Sequence, residues 1–567
     1  MSAMVSDPPI HPNRGSSSQL AEVSDPSGFH NPRPWIFPTR GIAVRLFLTC
    51  WIVYSVHVAT NTVREIFPAL AMADHFSFRL DEYAHLHPDL FEKPGYGWHI
   101  DANPGVSMIA AVPYFLFRPI VDRVVASVNR SRAASGLKDP PQYNSPWPMA
   151  REFYAESWRR GLDIKFGLAA IVMQVFCMAP VSALGVVAMF WILRRLFGSD
   201  RTGFWLSLLY AFGTPVFFRA GILNHNMMMG HLTFIGFLIM WNPGSNTRWP
   251  QHLRFLAGGL AGGEALLLDP SGVVLLGTLF CYAIARARSL GSTRTVVRSG
   301  LWYIVGALPP ILFLMFYQWR SFGNPFLPSE HWMPMPPVDA IHGGYRGFTL
   351  PQFVLFKMLM VDYRFGLLIT CPLFLLAIFS LWCNRRGKRA IPQREFAALL
   401  LIPAALVLFF SGLTYIWIQF TYGLRYLAPL LPFLFVPVAL VLTRLPRRLA
   451  YLISILAVAE AWSMAMYRDV ERGFGILDTM LHVFVGGFQL PVLTVFSRLP
   501  FGDYASGGVS PLPIFALAAA FLFVIWWRPS FEERAQVLAA GSRLGGRVTP
   551  VTGAASGGPC APPAHKS

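Results

Sequence analysis

Gly105-Val-Ser-Met-Ile-Ala-Ala-Val-Pro-Tyr-Phe-Leu-Phe-Arg-Pro-Ile-Val121 is the stretch on which the topology of this chain turns. It is apolar but marginal in length, since a membrane span needs about 20 predominantly apolar residues. Pro113 and Pro119 break it, and Arg118 puts a charge in it. If it crossed a bilayer, every later loop would change sides, and the Lys/Arg bias of cytoplasmic loops arbitrates. With the stretch left out of the count, one side collects Arg194, Arg195 and Arg201, then Arg248 and Arg254, then Arg286, Arg288, Arg294 and Arg298. The same side collects Arg385, Arg386, Lys388, Arg389 and Arg394, and finally Arg444, Arg447 and Arg448. The short turns on the other side, near 223–226, 269–271 and 416–425, hold only Arg425. Counting the stretch as a span would throw all those clusters outside. It is therefore expected to lie in the interface or to be re-entrant, packed against protein.

The composition makes the membrane unavoidable. Of 567 residues, 54% are hydrophobic and 13% charged, against about 25% charged in soluble domains. The mean hydropathy is +0.45. A net charge of +18 would suggest nucleic acid in a soluble protein, but cytoplasmic loops account for it here, and no nucleic-acid partner is expected. The six cysteines are scattered, with Cys177, Cys281 and Cys371 inside apolar runs, so neither a disulfide framework nor a metal-ligand spacing is visible.

Candidate spans fall at 42–60, 164–193, 203–222, 227–242, 254–269, 271–286, 300–317, 366–383, 396–415, 426–443, 449–466 and 512–527. The fold class is thus an all-α polytopic membrane protein, a bundle of about 12 transmembrane helices with interfacial helices in its outer loops. The membrane domain runs over 41–530, with outer loops at 61–163, 318–365 and 467–511. Residues 1–40, rich in Pro and Ser, and 531–567, Gly/Ala/Pro-rich from about Gly541, read as disordered cytoplasmic tails. Phe353–Val361, in the second outer loop, reads as another interfacial helix.

Titratable side chains concentrate in the first outer loop. Asp81, Glu82 and Asp89 lie close to His85, His87, His99 and Asp101. On a helix, Asp81 and His85 would share a face. A partly buried carboxylate there can take a proton from an attacking hydroxyl; the plainer reading is an N-cap on a solvated surface. The His/Asp mixture also suits a divalent cation, though no established spacing is present. His99, Asp101 and Asn103 precede Pro104-Gly105 where water meets membrane, a placement suited to a lipid with a polar head, or to a turn that caps a helix. His225, in Asn224-His-Asn226, falls at an outer turn, with His231 further in as an expected satisfied helix histidine. Arg425 is the lone basic residue of the short outer turns, and a guanidinium there can clamp a phosphate or reach lipid headgroups. Arg364 is similar but has Asp362 two residues away.

The tail, first span, acidic first loop, interfacial helices and many-helix bundle together resemble the GT-C superfamily of integral membrane glycosyltransferases. The likeness is greatest to bacterial relatives of protein O-mannosyltransferases and of the lipid A aminoarabinose transferase. Short matches run in order to about residue 440: Asp101-Ala-Asn-Pro-Gly105 with Ala110-Ala-Val-Pro-Tyr114, Gly213-Thr-Pro-Val216, Phe322-Gly-Asn-Pro-Phe326 and Gly423-Leu-Arg-Tyr-Leu-Ala-Pro429. The resemblance implies a polyprenyl-phosphate-linked sugar donor and a lipid, glycan or protein acceptor. It also implies transfer with inversion at the extracytoplasmic face of a bacterial inner membrane. Carried over by position, the catalytic carboxylate is Asp81, with Glu82 or Asp89 as alternates, and Arg425 serves the leaving phosphate. The chain departs from the aminoarabinose transferases in having Asn103 rather than Lys before Pro104. The rival readings are a transporter or flippase of a lipid-linked glycan, which would bury ionisable groups at mid-membrane, and a non-catalytic scaffold.

Overall fold

A computed structural model describes residues 39–59, 62–145, 148–245, 248–335, 338–385, 390–419, 423–466, 476–496 and 510–527. Helices dominate, because a long apolar stretch offers its backbone polar groups few partners but one another. Helix α1 (Thr39–Val56) leads into the short α2 (Ile66–His75), and an antiparallel hairpin of β1 (Leu90–Lys93) and β2 (Gly97–Ile100) follows. The hairpin closes through Pro94-Gly95, where Gly95 takes φ 80° and the Tyr96 N–H reaches the Lys93 carbonyl at 2.9 Å. Next come α3 (Gly105–Ala134) and α4 (Pro148–Arg159). A 35-residue rod then passes from α5 (Asp163–Met173) through one π-helical turn into α6 (Ala179–Phe197).

Ser199 caps α7 (Asp200–Phe212) by accepting from the Thr202 N–H. Gly213-Thr-Pro215 breaks it before α8 (Val216–Ala220). Helices α9 (His225–Trp241), α10 (Gln251–Leu268), α11 (Gly272–Arg288) and α12 (Thr293–Phe322) continue the bundle. Beyond them lie α13 (Ser329–Trp332), α14 (Phe353–Val361), α15 (Leu367–Thr370), α16 (Ser380–Arg385) and α17 (Gln393–Phe410). The last helices are α18 (Leu431–Leu442), α19 (Arg447–Met466), α20 (Ile476–Gly486), α21 (Pro491–Phe496) and α22 (Leu512–Trp527). The expected interfacial segment 353–361 is thus one helix with those bounds, whereas Asp469 and Glu471 of the third loop lie outside the described residues.

All twelve apolar runs are helical in whole or large part. Among the described residues, five stretches are long and apolar enough to cross a membrane: α1, the α5–α6 rod, α12, α17 and α19. The others are shorter or interrupted. Helices α10 and α12 meet through glycines: a Cβ on Gly263 would sit 2.6 Å from the Ala307 carbonyl oxygen, and one on Gly259 would overlap the Tyr303 carbonyl. Small residues permit such backbone approach in apolar bundles.

The helix ends sort into two sets. At one end, Arg194 pairs with Asp200, and the Thr39 hydroxyl donates to Asp200 at 2.7 Å. Gly244 there lies against the Arg195 guanidinium, and Arg286 reaches both Glu395 (3.2 Å) and the Trp241 carbonyl (2.8 Å). At the opposite end stand the start of α9, the end of α10, and α2 with the start of α5, where Phe67 packs on Phe166. Both ends of α3 are tied to that second end. Asn103, just before it, donates to the Leu266 carbonyl at 2.7 Å, and Arg132 near its close grips Asp163 with two hydrogen bonds of 2.8 and 2.7 Å. Arg118 faces inward, 3.1 Å from a buried Asp74 that also pairs with Lys165 at 2.8 Å. At about 1.5 Å per residue, α3 is long enough to run the bundle's length, yet it does not.

Candidate active site

The second end of the bundle is built around His225. Asn224 caps α9, its side-chain oxygen accepting from the Met227 N–H at 3.0 Å. That makes His225 the first helical residue. Its Nδ1 lies 2.6 Å from Glu65 Oε1, and its Nε2 lies 3.3 Å from Asp269 Oδ2 and 3.0 Å from Asn226 Nδ2. Asp269 is available because α10 stops there in extended backbone; its other oxygen accepts from the Ser271 N–H at 2.9 Å. Glu65 stands at the N-cap position of α2 without capping it, so its carboxylate is left for His225.

Arg64 joins this core to the hairpin. Its guanidinium lies 3.6 Å from Glu65 and 3.8 Å from Asp89, and donates to the Asp101 carbonyl at 2.8 Å. The hairpin sets Asp89 beside Asp101, whose N–H reaches the Asp89 carbonyl at 3.1 Å. From the second loop, Ser329 Oγ donates to Asp101 Oδ1 at 3.1 Å, with Glu330 next to it. The turn that carries them is strapped down on several sides. Arg346 donates to the Met333 carbonyl at 2.8 Å and to that of His331, Tyr345 Oη meets His331 Nδ1 at 2.8 Å, and Lys93 lies 3.3 Å from the centre of the Trp332 ring.

The charges are strongly perturbed. Burial resists ionisation of Glu65, but the hydrogen bond and charge of His225, with the charge of Arg64, outweigh it and bring its pKa down to about 2. Burial raises Asp101 to about 6 despite the attraction of Arg64, and burial together with the Asp101 charge raises Glu330 to about 8. Burial also holds the His87 imidazole below its ordinary range, opposed by Asp89 and reinforced by Arg64 and Arg425. Arg425 is therefore within electrostatic reach of the cluster. Among the described residues no carboxylate lies within 4 Å of its guanidinium, which sits over the Tyr426 ring at 5.4 Å.

Asp89, Asp101 and His225 of the sequence-derived candidates come together here, and the charges of Asp89 and Arg425 both act on His87. The others go elsewhere. Asp81 and Glu82 begin a single 3-10 turn, Asp81–Tyr83, and His85 takes φ 67°, so Asp81 and His85 share no helix face. Asp81 accepts from the Trp98 N–H at 2.9 Å and pairs with Arg79 at 2.8 Å, while Glu82 meets His75 at 3.3 Å. Both line an open cavity of about 340 Å³ with His75, Ser77 and Arg79. His99 is buried against Phe322, its Nε2 3.3 Å from the Tyr96 carbonyl, and burial lowers it to about 4. Asn103 ties α3 to α10, and Arg364 is paired with Asp362 at 3.2 Å. His231, expected to be satisfied, is fully buried with no hydrogen-bond partner on either ring nitrogen.

Arg64, Glu65, Asp269, Ser329 and Glu330 complete the cluster without having been singled out for it. Their sequence signals are two: an Arg64-Glu65 pair directly after the first span, and an Asp269-Pro270 helix break. Among the described residues no group of three or more His, Cys, Asp or Glu side chains is placed to hold a metal ion. No protein-family model, curated protein or solved structure matches this chain. Chemically, the arrangement offers a partly exposed carboxylate, two buried carboxyls that hold protons and, within electrostatic reach, a cation with no carboxylate partner among the described residues.

Proposed function

We propose that this protein is a GT-C-type membrane glycosyltransferase that moves a sugar from a polyprenyl-phosphate carrier to an extracytoplasmic lipid, glycan or protein acceptor. In this reading the twelve apolar runs cross the membrane, the arginine-rich end faces the cytoplasm, and α3 lies along the outer interface. The observation that carries it is the pairing of unlike tools at one bundle end. Asp89 is the most open of the carboxylates that Arg64 and His225 contact, its side chain 31% exposed. Arg425, with no carboxylate within 4 Å among the described residues, lies near enough for its charge to act on His87, as the Asp89 charge also does.

Asp89 is the base. It takes the proton of the acceptor hydroxyl as that oxygen forms its bond to the anomeric carbon. The bond from that carbon to the phosphate oxygen breaks in the same displacement, with inversion. The negative charge gathering on the leaving polyprenyl phosphate is met by Arg425. Arg64 and the Glu65–His225–Asp269 chain hold the base and its neighbours in place. Asp81 and Glu82 line the separate open cavity and take no part in the proton transfer.

The test is transfer from a radiolabelled polyprenyl-phosphate sugar by the purified protein. Asp89→Asn should lose activity by about a hundredfold or more, the scale of a general base, while Asp81→Asn stays active. Full activity in Asp89→Asn would sink this assignment. A flippase of a lipid-linked glycan is the second reading, and it rests on Glu460, buried in α19 with one carboxylate oxygen that has no partner among the described residues. Movement of the intact lipid across a proteoliposome membrane, without loss of its sugar, would favour it.

A further inference from the structure

The two residues that precede Arg425 are held by a second arginine far from them in sequence. Arg219, in α8, is 3% exposed. Its Nη2 donates to the Gly423 carbonyl at 2.7 Å and its Nε to the Leu424 carbonyl, the two residues that precede Arg425. Gly423 adopts φ 73°, and a Cβ there would press on the Phe218 ring at 2.7 Å, beside Arg219. The Gly423 N–H is in turn held by the Arg364 carbonyl at 2.8 Å, and the Arg425 carbonyl accepts from the Ala428 N–H at 3.1 Å. These four hydrogen bonds thus bear on the peptides around Arg425.

We infer that Arg219 is a positioning residue for a phosphate-binding Arg425, acting through the Gly423 and Leu424 carbonyls and never touching the ligand. The inference rests on the functional reading above and assigns that site's ligand as the phosphate monoester or diester of a polyprenol. Filling the space beneath the loop needs only an apolar side chain, and a guanidinium kept from water carries a desolvation cost that shape alone does not explain. Its planar fork explains it better. Two N–H groups set at a fixed angle hold two successive carbonyls, and an irregular stretch so held loses little freedom when the next residue grips an anion. The break at Gly213-Thr-Pro215 ends α7 and starts the short α8, which carries Arg219 to the Gly423 carbonyl.

The experiment compares binding of a polyprenyl phosphate and of the unphosphorylated polyprenol to the full-length protein in nanodiscs. Arg219→Gln should weaken binding of the phosphate by about tenfold or more, the scale of charge-assisted contacts, and leave polyprenol binding unchanged. Arg219→Lys, which keeps the charge but not the fork, should fall between. In the Arg425→Ala background, Arg219→Gln should cost no further affinity, since the group it positions is gone. Penalties that simply add, or unchanged phosphate binding in Arg219→Gln, would overturn the inference while leaving the functional reading intact. If Arg219→Gln does not insert, Arg219→Lys alone decides: wild-type phosphate preference in that variant would overturn it. A wild-type protein that binds polyprenol and its phosphate equally would bring down the functional reading as well.

Discussion

Glu65 is buried between His225 and Arg64, and neither partner would tolerate its loss. Its folded pKa of about 2 lies below its ordinary value of 4.5. The stabilisation is therefore fully present above pH 4.5 and is lost as pH falls toward 2. Glu65→Gln at neutral pH should lower stability by about 3–5 kcal/mol, the cost of breaking a buried pair and leaving a partner uncompensated. The midpoint of thermal inactivation in detergent checks this, and an unchanged midpoint would show that the pair contributes nothing. Arg425→Ala belongs to the same scale: it should raise the KM for the lipid-phosphate donor far more than that for the acceptor, and equal changes would remove it from phosphate binding. The sequence led to His225, Asp89 and Asp101 but not to Glu65, and the reason is physical. Glu65 and His225 lie 160 residues apart, and an adjacent Arg-Glu pair reads locally as self-neutralised. Asp81 and Glu82, around which acidic and histidine residues crowd in the sequence, lie on a 3-10 turn that lines the open cavity.

Among the elements, α13 has a hold on the site that depends on protons. Ser329 and Glu330 bring it against Asp101, and Asp269 and Arg64 face the same carboxyl pair. Carboxyls with folded pKa values of about 6 and 8 keep protons that the unfolded chain would release. Their contribution is greatest at low pH and declines as pH rises through those values. Hydrogen exchange over 329–333, corrected for intrinsic chemistry, should therefore quicken between pH 6 and pH 8. Glu330→Gln should flatten that dependence, and a variant that keeps it would dissociate the effect from Glu330. At the α10–α12 seam, Gly259→Leu should separate the helices, because the Tyr303 carbonyl occupies the space of any Cβ. Helices were legible in the sequence where apolar runs were long. Their interruptions at Gly213–Pro215 and Pro372 were not, since a hydropathy pattern averages over a break. Pro113 and Pro119, expected to break the stretch, lie inside the one helix α3, and Arg118 pairs with Asp74, which also pairs with Lys165.

At the scale of the molecule, the two bundle ends differ in kind: one carries Arg194, Arg195, Arg286 and Arg394, and the other the carboxylate and histidine cluster. The account requires the second end to face away from the cytoplasm, where a lipid-borne sugar meets its acceptor. A cysteine at position 85, in a variant with Cys281 and Cys560 replaced by serine, tests this with a membrane-impermeant thiol reagent on intact cells. Labelling from outside is the predicted result. Labelling only after the cytoplasmic face is opened would contradict the orientation and the transfer reaction built on it.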